Sequence, residues 1–181
     1  YGLAVDSAKV QLYNCQLSNT LNHTLYVKGG DVEVNGCTIA QFYPFDGYRA
    51  TAIGIIPPLL NFKVINSIVT GYHDDEVIWT SPKNDEVCNF SFDHCVLRTE
   101  KMNTEDSLKF TNTIYENLKD TTQFGEKHFR LVDTDNLKYD FRLRKESAAI
   151  GVADTATSLP TDRRGVLRDD KPDAGCYEFD E

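Results

Sequence analysis

One eight-residue pattern recurs along the first two thirds of the chain, and it restricts the fold more than any other feature. It reads Val10-Gln11-Leu12-Tyr13-Asn14-Cys15-Gln16-Leu17, then Val32-Glu33-Val34-Asn35-Gly36-Cys37-Thr38-Ile39. Two further copies are Phe62-Lys63-Val64-Ile65-Asn66-Ser67-Ile68-Val69 and Phe90-Ser91-Phe92-Asp93-His94-Cys95-Val96-Leu97. A weaker copy is Leu108-Lys109-Phe110-Thr111-Asn112-Thr113-Ile114-Tyr115. Cys15, Cys37, Ser67, Cys95 and Thr113 are spaced 22, 30, 28 and 18 residues apart. A fixed motif at a varying period means constant strands joined by loops of variable length.

Within the motif, apolar residues at i and i+2 point to one face of a strand. The alternation then breaks at Asn14, Gly36, Asn66, His94 and Asn112. Asn and Gly tolerate positive φ at low cost and suit a bend, and His is a less common occupant of the same conformation. A second short strand follows each bend. A third strand precedes each pair: Leu3-Ala4-Val5, Leu25-Tyr26-Val27, Ile53-Gly54-Ile55 and Val77-Ile78-Trp79. Ser7-Ala8 and Gly29-Gly30 supply small turns, and Pro57-Pro58 lengthens the third connection. Three short strands per turn predict an all-β, single-stranded parallel β-helix over residues 1–118.

Stacked coils bury what one coil alone leaves wet. The predicted inward ladders are Val10-Val32-Phe62-Phe90 and Leu12-Val34-Val64-Phe92. The cysteines join Ser67 and Thr113 in a file of small side chains, where buried Cys acts as a small hydrophobe. There are five cysteines and no CxxC pair, which argues against a zinc knuckle or a full disulfide framework. Cys15 and Cys37 are expected as stacked neighbours without a disulfide. The rival architecture is a β-sandwich, but it demands hairpin turns, and Asn35-Gly36 aligns with the bends instead.

The net charge of −9 over 181 residues argues against a nucleic-acid partner, which needs clustered Lys and Arg. Mean hydropathy of −0.43 and the lack of an apolar run near 20 residues predict no transmembrane segment. The start at Tyr1 is expected to be a processed or truncated boundary, with the coils forming the C-terminal part of a longer helix. A monomer, or part of a larger chain, is expected.

Beyond about Asn117 the repeat fades. Residues 119–181 are expected to hold a final irregular coil and a capping segment that covers the open core and blocks edge pairing. Tyr139-Asp140-Phe141-Arg142-Leu143, Ser147-Ala148-Ala149-Ile150-Gly151, Arg163 to Arg168, and Pro172-Asp173-Ala174-Gly175-Cys176-Tyr177-Glu178-Phe179 form its organised pieces. This block resembles the C-terminal block of secreted bacterial right-handed parallel β-helix proteins, the pectate-lyase-like repeat proteins of the choice-of-anchor Q type. It departs from them at Lys145-Glu146 for Pro-Gly, Ala148 for Pro, Arg164-Gly165 for Asp-Gly and Cys176 for Ala. The resemblance implies right-handed coils and an extracytoplasmic setting, secreted or on the outer cell surface. It does not imply one activity, because fold does not dictate function.

Insertions in a solenoid cluster on one side and often form its binding face. Here they follow Ile39, Val69 and Leu97. Tyr43, Tyr48, Arg49, Tyr72, His73, Asp74 and Arg98 are the candidate polysaccharide-binding residues, since aromatic rings with nearby charges suit sugars. The plain alternative is that Phe42, Phe45 and Tyr48 pack their loop and the charges solvate it. A lyase needs a base and a cation. His73 or Tyr72 is the candidate base, with Arg98, Arg49 or Lys101 as neutraliser. A hydrolase needs two carboxylates, for which Asp46, Asp74, Asp75 and Glu100 are available. A purely structural stalk is the third possibility.

No metal site is expected. Asp133, Asp135 and Asp140, or Asp169, Asp170 and Asp173, are the weak candidates for Ca²⁺, with turn formation as the simpler role. His94 is read as a bend residue, and His23 and His128 as surface residues.

Overall fold

The computed structural model describes residues 1–101, 105–120 and 122–180. Its first coil holds strands β1 (Leu3–Asp6), β2 (Lys9–Tyr13) and β3 (Gln16–Ser18). The second holds β4 (Leu25–Lys28), β5 (Asp31–Asn35) and β6 (Thr38–Gln41), and the third β7 (Ile53–Ile56), β8 (Leu59–Ile65) and β9 (Ile68–Gly71). The fourth holds β10 (Val77–Trp79), β11 (Cys88–Asp93) and β12 (Val96–Leu97). The last contributes β13 (Phe110–Thr111) and β14 (Ile114–Tyr115).

Each of the first four circuits of the chain adds one strand to each of three sheets, and the last adds one to two of them. Their orders are β1-β4-β7-β10, β2-β5-β8-β11-β13 and β3-β6-β9-β12-β14, and every pairing within them is parallel. The protein is thus all-β, with stacked parallel sheets compatible with a β-helix of three strands per coil.

The register follows the repeat. Val10, Val32, Phe62 and Phe90 pair in series, as do Leu12, Val34, Val64, Phe92 and Phe110. Val32, Val34, Phe62, Val64 and Phe92 are fully buried in one core. The bend residues all have positive φ: Asn14 50°, Gly36 59°, Asn66 52°, His94 49° and Asn112 46°. This conformation turns the chain between the second and third sheets in each coil, which is why small or amide residues recur there. Asn35-Gly36 therefore makes a coil bend, not a hairpin.

The weaker fifth copy is only partly realised. Phe110 stacks on Phe92 as the pattern predicts, but Leu108 lies in a 3-10 helix, Glu105–Lys109, and is 84% exposed. Leu108 has left the strand register, so the pattern loses its first inward position in this coil.

The C-terminal segment runs back along the flank of the third sheet. The cause is in the strands themselves. Ile39, Val69 and Leu97 face the inner core, while Ala40, Ile68 and Val96 face outward and are equally buried. A parallel sheet apolar on both faces needs a layer on each. The outer layer comes from an antiparallel hairpin, β15 (Phe129–Asp133) and β16 (Lys138–Leu143), and from the segment after it. Phe129, Phe141, Leu143, Ala149 and Ala174 close over Phe42, Ile68 and Val96.

The remaining strap is pinned to asparagines at and beside the bends. Asn66 accepts the Asp154 N–H at 2.8 Å and donates to Thr157 Oγ1 at 3.1 Å. Asn35 and Asn14 donate to the carbonyls of Thr157 and Thr161 at 2.9 and 2.8 Å. Arg168 bonds Asn14 Oδ1 at 3.3 Å and pairs with Glu178 at 3.0 Å, nearly buried. Gly175, at φ +98°, sits so close that a Cβ would lie 2.8 Å from Ile68 Cδ1.

Candidate functional site

The three insertions meet where the chain leaves the third sheet. Gly71 ends β9 and is buried beside Gln41 of β6. The chain then swings out through Tyr72 to Asp75 and returns at Glu76, which is fully buried. Glu76 is the hub of this excursion. Its two carboxylate oxygens accept the N–H groups of Ala52 at 2.6 Å and His73 at 2.8 Å. These are donors that the interrupted ladder leaves without strand partners. Burial pushes the Glu76 carboxyl up to about 8, against the opposing pull of those two hydrogen bonds and of Arg98 and Arg49.

Four of the seven candidate sugar-binding residues come together around this hub. The Arg49 guanidinium lies 4.8 Å from the Tyr72 ring centroid. His73 Nε2 is 2.8 Å from the Arg49 carbonyl, and since a carbonyl only accepts, that nitrogen carries the proton. Arg98 donates through Nε to the His73 carbonyl at 2.6 Å and through Nη1 to Glu116 at 3.1 Å. Tyr72 donates its hydroxyl to Glu126 at 2.8 Å. Burial, then the Glu126 hydrogen bond, pushes the Tyr72 phenol up to about 12.

The other three lie apart from this group. Tyr48 is 96% exposed, Asp74 is exposed, and Tyr43 packs edge-on against Phe45, itself 67% exposed. Of the loop aromatics, Phe42 alone is buried, and it meets Tyr72 edge-on at 5.1 Å. Asp74, Asp75, Glu100 and Lys101 line a second hollow of about 360 Å³. In it Asp75 accepts the Thr99 hydroxyl at 2.6 Å. Asp46 accepts the Tyr48 N–H at 2.8 Å within its own turn.

Between the Tyr72 turn and the Phe124–Lys127 segment lies a cleft of about 230 Å³, lined by Phe42, Tyr72, Arg98, Phe124, Glu126 and Lys127 among others. Lys127 is exposed at its rim. The cleft is smaller than the roughly 300–1,000 Å³ of pockets that hold drug-sized ligands. It therefore matches a single small ring or charged group.

Behind the cleft runs a buried relay that sequence reasoning missed. Glu116 follows the paired Tyr115 of β14 and faces Arg98 one coil away. Its second oxygen lies 3.1 Å from His128 Nε2, and His128 Nδ1 lies 2.9 Å from Ser147 Oγ. His128 is completely buried, which overturns its reading as a surface residue; a polar neighbourhood in sequence hid an inward-turned ring. Burial pushes the Glu116 carboxyl up, and the hydrogen bond and charge of His128, with Arg98, more than reverse this and hold it below its ordinary value. The order serine–histidine–glutamate is that of an activated nucleophile. Here, however, Ser147 and His128 are buried and Ser147 Oγ also receives the Ala149 N–H at 3.2 Å. The relay bolts the C-terminal segment to the coils.

The other histidines are accounted for locally. His23 is half-buried, with Nδ1 3.0 Å from Thr51 Oγ1, and His94 sits at its bend. Four of the six Ca²⁺ candidates have partners within the chain: Asp133 accepts from Asn136, Asp140 pairs with Arg142, Asp169 accepts the Lys171 N–H, and Asp173 accepts those of Gly151 and Phe179. Among the described residues no three His, Cys, Asp or Glu side chains cluster as metal ligands. No helix among them is long and apolar enough to cross a membrane. No protein-family model, no curated protein and no solved structure matches the chain.

Proposed function

We propose that this chain is a non-catalytic module of a right-handed parallel β-helix that binds polysaccharide at the cleft beside Tyr72. The observation that carries this reading is the composition of the cleft: the half-buried rings of Tyr72 and Phe124, backed by buried Phe42, with Arg98, Glu126 and Lys127 around them. Rings stack on sugar faces while charged and polar groups reach hydroxyls or acid groups. The state of the candidate catalytic groups supports the non-catalytic part. His73 Nε2, Arg98 and the Tyr72 hydroxyl are each committed to partners within the protein, and the phenol is held far from ionisation. The likeness of the C-terminal block to secreted β-helix proteins supports an extracytoplasmic, cell-surface setting.

Lys127 tests the reading, because it lines the cleft without belonging to the buried relay. Titration of neutral and uronic-acid polysaccharides into the protein is expected to give binding that Lys127→Ala weakens about tenfold, the loss of one charge-assisted hydrogen bond, at unchanged melting temperature. Absence of binding to every polymer, or binding indifferent to Lys127→Ala and Phe124→Ala, overturns it. Release of unsaturated, ultraviolet-absorbing products identifies a lyase instead.

A further inference from the structure

Cys15 and Cys37 hold the same place in successive coils. The residues flanking them are paired, Tyr13 with Asn35 and Gln16 with Thr38. Neighbouring strands lie about 4.8 Å apart, inside the roughly 4.4–6.8 Å range of Cα separations that a disulfide spans. The Cys37 sulfur already leans into the first coil. The Cys15 N–H donates to it at 3.3 Å, and the thiol donates to the Leu12 carbonyl at 3.3 Å. On its other side the rung is Ser67, whose Oγ receives the Cys37 N–H at 3.0 Å, so a whole coil separates Cys37 from Cys95.

The two thiols differ in access and character. Cys37 is fully buried, whereas Cys15 is half-buried. The proximity of Cys37 lowers the Cys15 thiol, with burial opposing and Arg163 assisting. The proximity of Cys15, with burial, pushes the Cys37 thiol up. A reachable sulfur inclined to ionise beside a shielded one is the arrangement of an attacking and a resolving thiol.

We propose that Cys15 and Cys37 are a redox pair, closing into a disulfide that staples the first coil to the second when the protein meets a small-molecule disulfide. The Cys15 thiolate attacks one sulfur of oxidised glutathione, the reagent's S–S bond breaks, and one glutathione leaves as its thiol after taking a proton from water. Cys37 then loses its proton to solvent and attacks the Cys15 sulfur of the mixed disulfide. The protein S–S bond forms and the second glutathione leaves. Two protein thiols are oxidised, and one oxidised glutathione is reduced to two thiols. The closed loop spans 22 residues and ties the first coil to the second.

The test is incubation of the reduced protein with oxidised glutathione, alkylation of remaining thiols, digestion and mass mapping. The expected product is a single cross-linked peptide pair containing Cys15 and Cys37, with Cys88, Cys95 and Cys176 alkylated. The wild-type melting temperature is expected to rise by a few degrees on oxidation and to return with reductant. Cys37→Ser is expected to stop at a glutathione adduct on Cys15, and Cys15→Ser to show neither adduct nor cross-link. A wild-type protein that keeps both thiols, retains only the glutathione adduct, or links another pair overturns the proposal. Because the wild-type map decides the matter, poor folding of either variant does not.

Discussion

His128 Nε2 and Glu116 Oε1 lie 3.1 Å apart with neither side chain exposed, and this pair joins the last coil to the segment that covers the third sheet. Arg98 completes the balance on the other Glu116 oxygen. A buried ion pair is poor evidence of net stabilisation, but removing one partner strands the other in a dry site. His128→Ala leaves Glu116 with Arg98 as its charged partner, and Glu116→Ala leaves Arg98 without its carboxylate and His128 Nε2 without its partner. Glu116→Ala is therefore expected to cost about 3–5 kcal/mol and His128→Ala less, measured by urea unfolding. The double variant is expected to fall short of the sum of the two, since the groups share one network.

Glu76 makes stability fall as pH rises. Its carboxyl binds a proton in the folded state up to about pH 8, while the unfolded chain releases that proton near 4.5. Between those values the folded state holds more protons, so raising the pH favours unfolding. The melting temperature is expected to drop across this window. Glu76→Gln, which lowers stability by turning an amide N–H₂ toward a backbone donor, is expected to flatten the slope.

Gly71 makes room for that carboxylate. A Cβ at this position would overlap Glu76 Oε1 and lie 2.7 Å from the Gln41 carbonyl. Gly71→Ala is expected to cost about 3 kcal/mol, the upper end for overpacking, by calorimetry. Gly47→Ala, where nothing lies within 4 Å, is expected to be tolerated.

The bend asparagines separate backbone from side-chain roles. Asn66 and Asn112 share positive φ, but the Asn66 amide bonds Asn35, Asp154 and Thr157 while that of exposed Asn112 bonds Asp93. Asn112→Gly is expected to change stability by under about 0.5 kcal/mol, as exposed substitutions do. Asn66→Gly loses the buried bonds, and Asn66→Ala adds a left-handed strain of about 1–2 kcal/mol. The expected order of loss in denaturant midpoint is Asn112→Gly, then Asn66→Gly, then Asn66→Ala.

The stacking order was legible in the residues alone because a coil repeats its own physics. Inward side chains alternate, a bend needs positive φ, and both leave marks at fixed offsets, as Val10-Leu12-Asn14 and Phe62-Val64-Asn66 do. The outward apolar residues Ala40, Ile68 and Val96 were equally present in the sequence. Their meaning depends on what lies opposite, and that layer arrives about ninety residues later in the chain for Ala40, as Phe129. Likewise Glu76 follows Asp74 and Asp75 and reads as one more solvated charge. Only the return of the chain beneath Ala52 and His73 buries it. Periodicity is a local property and is written in neighbours, whereas burial of a polar side chain is a property of contacts between distant segments. The coils were therefore decided by sequence, and the relay, the cleft and the flank cover by tertiary structure.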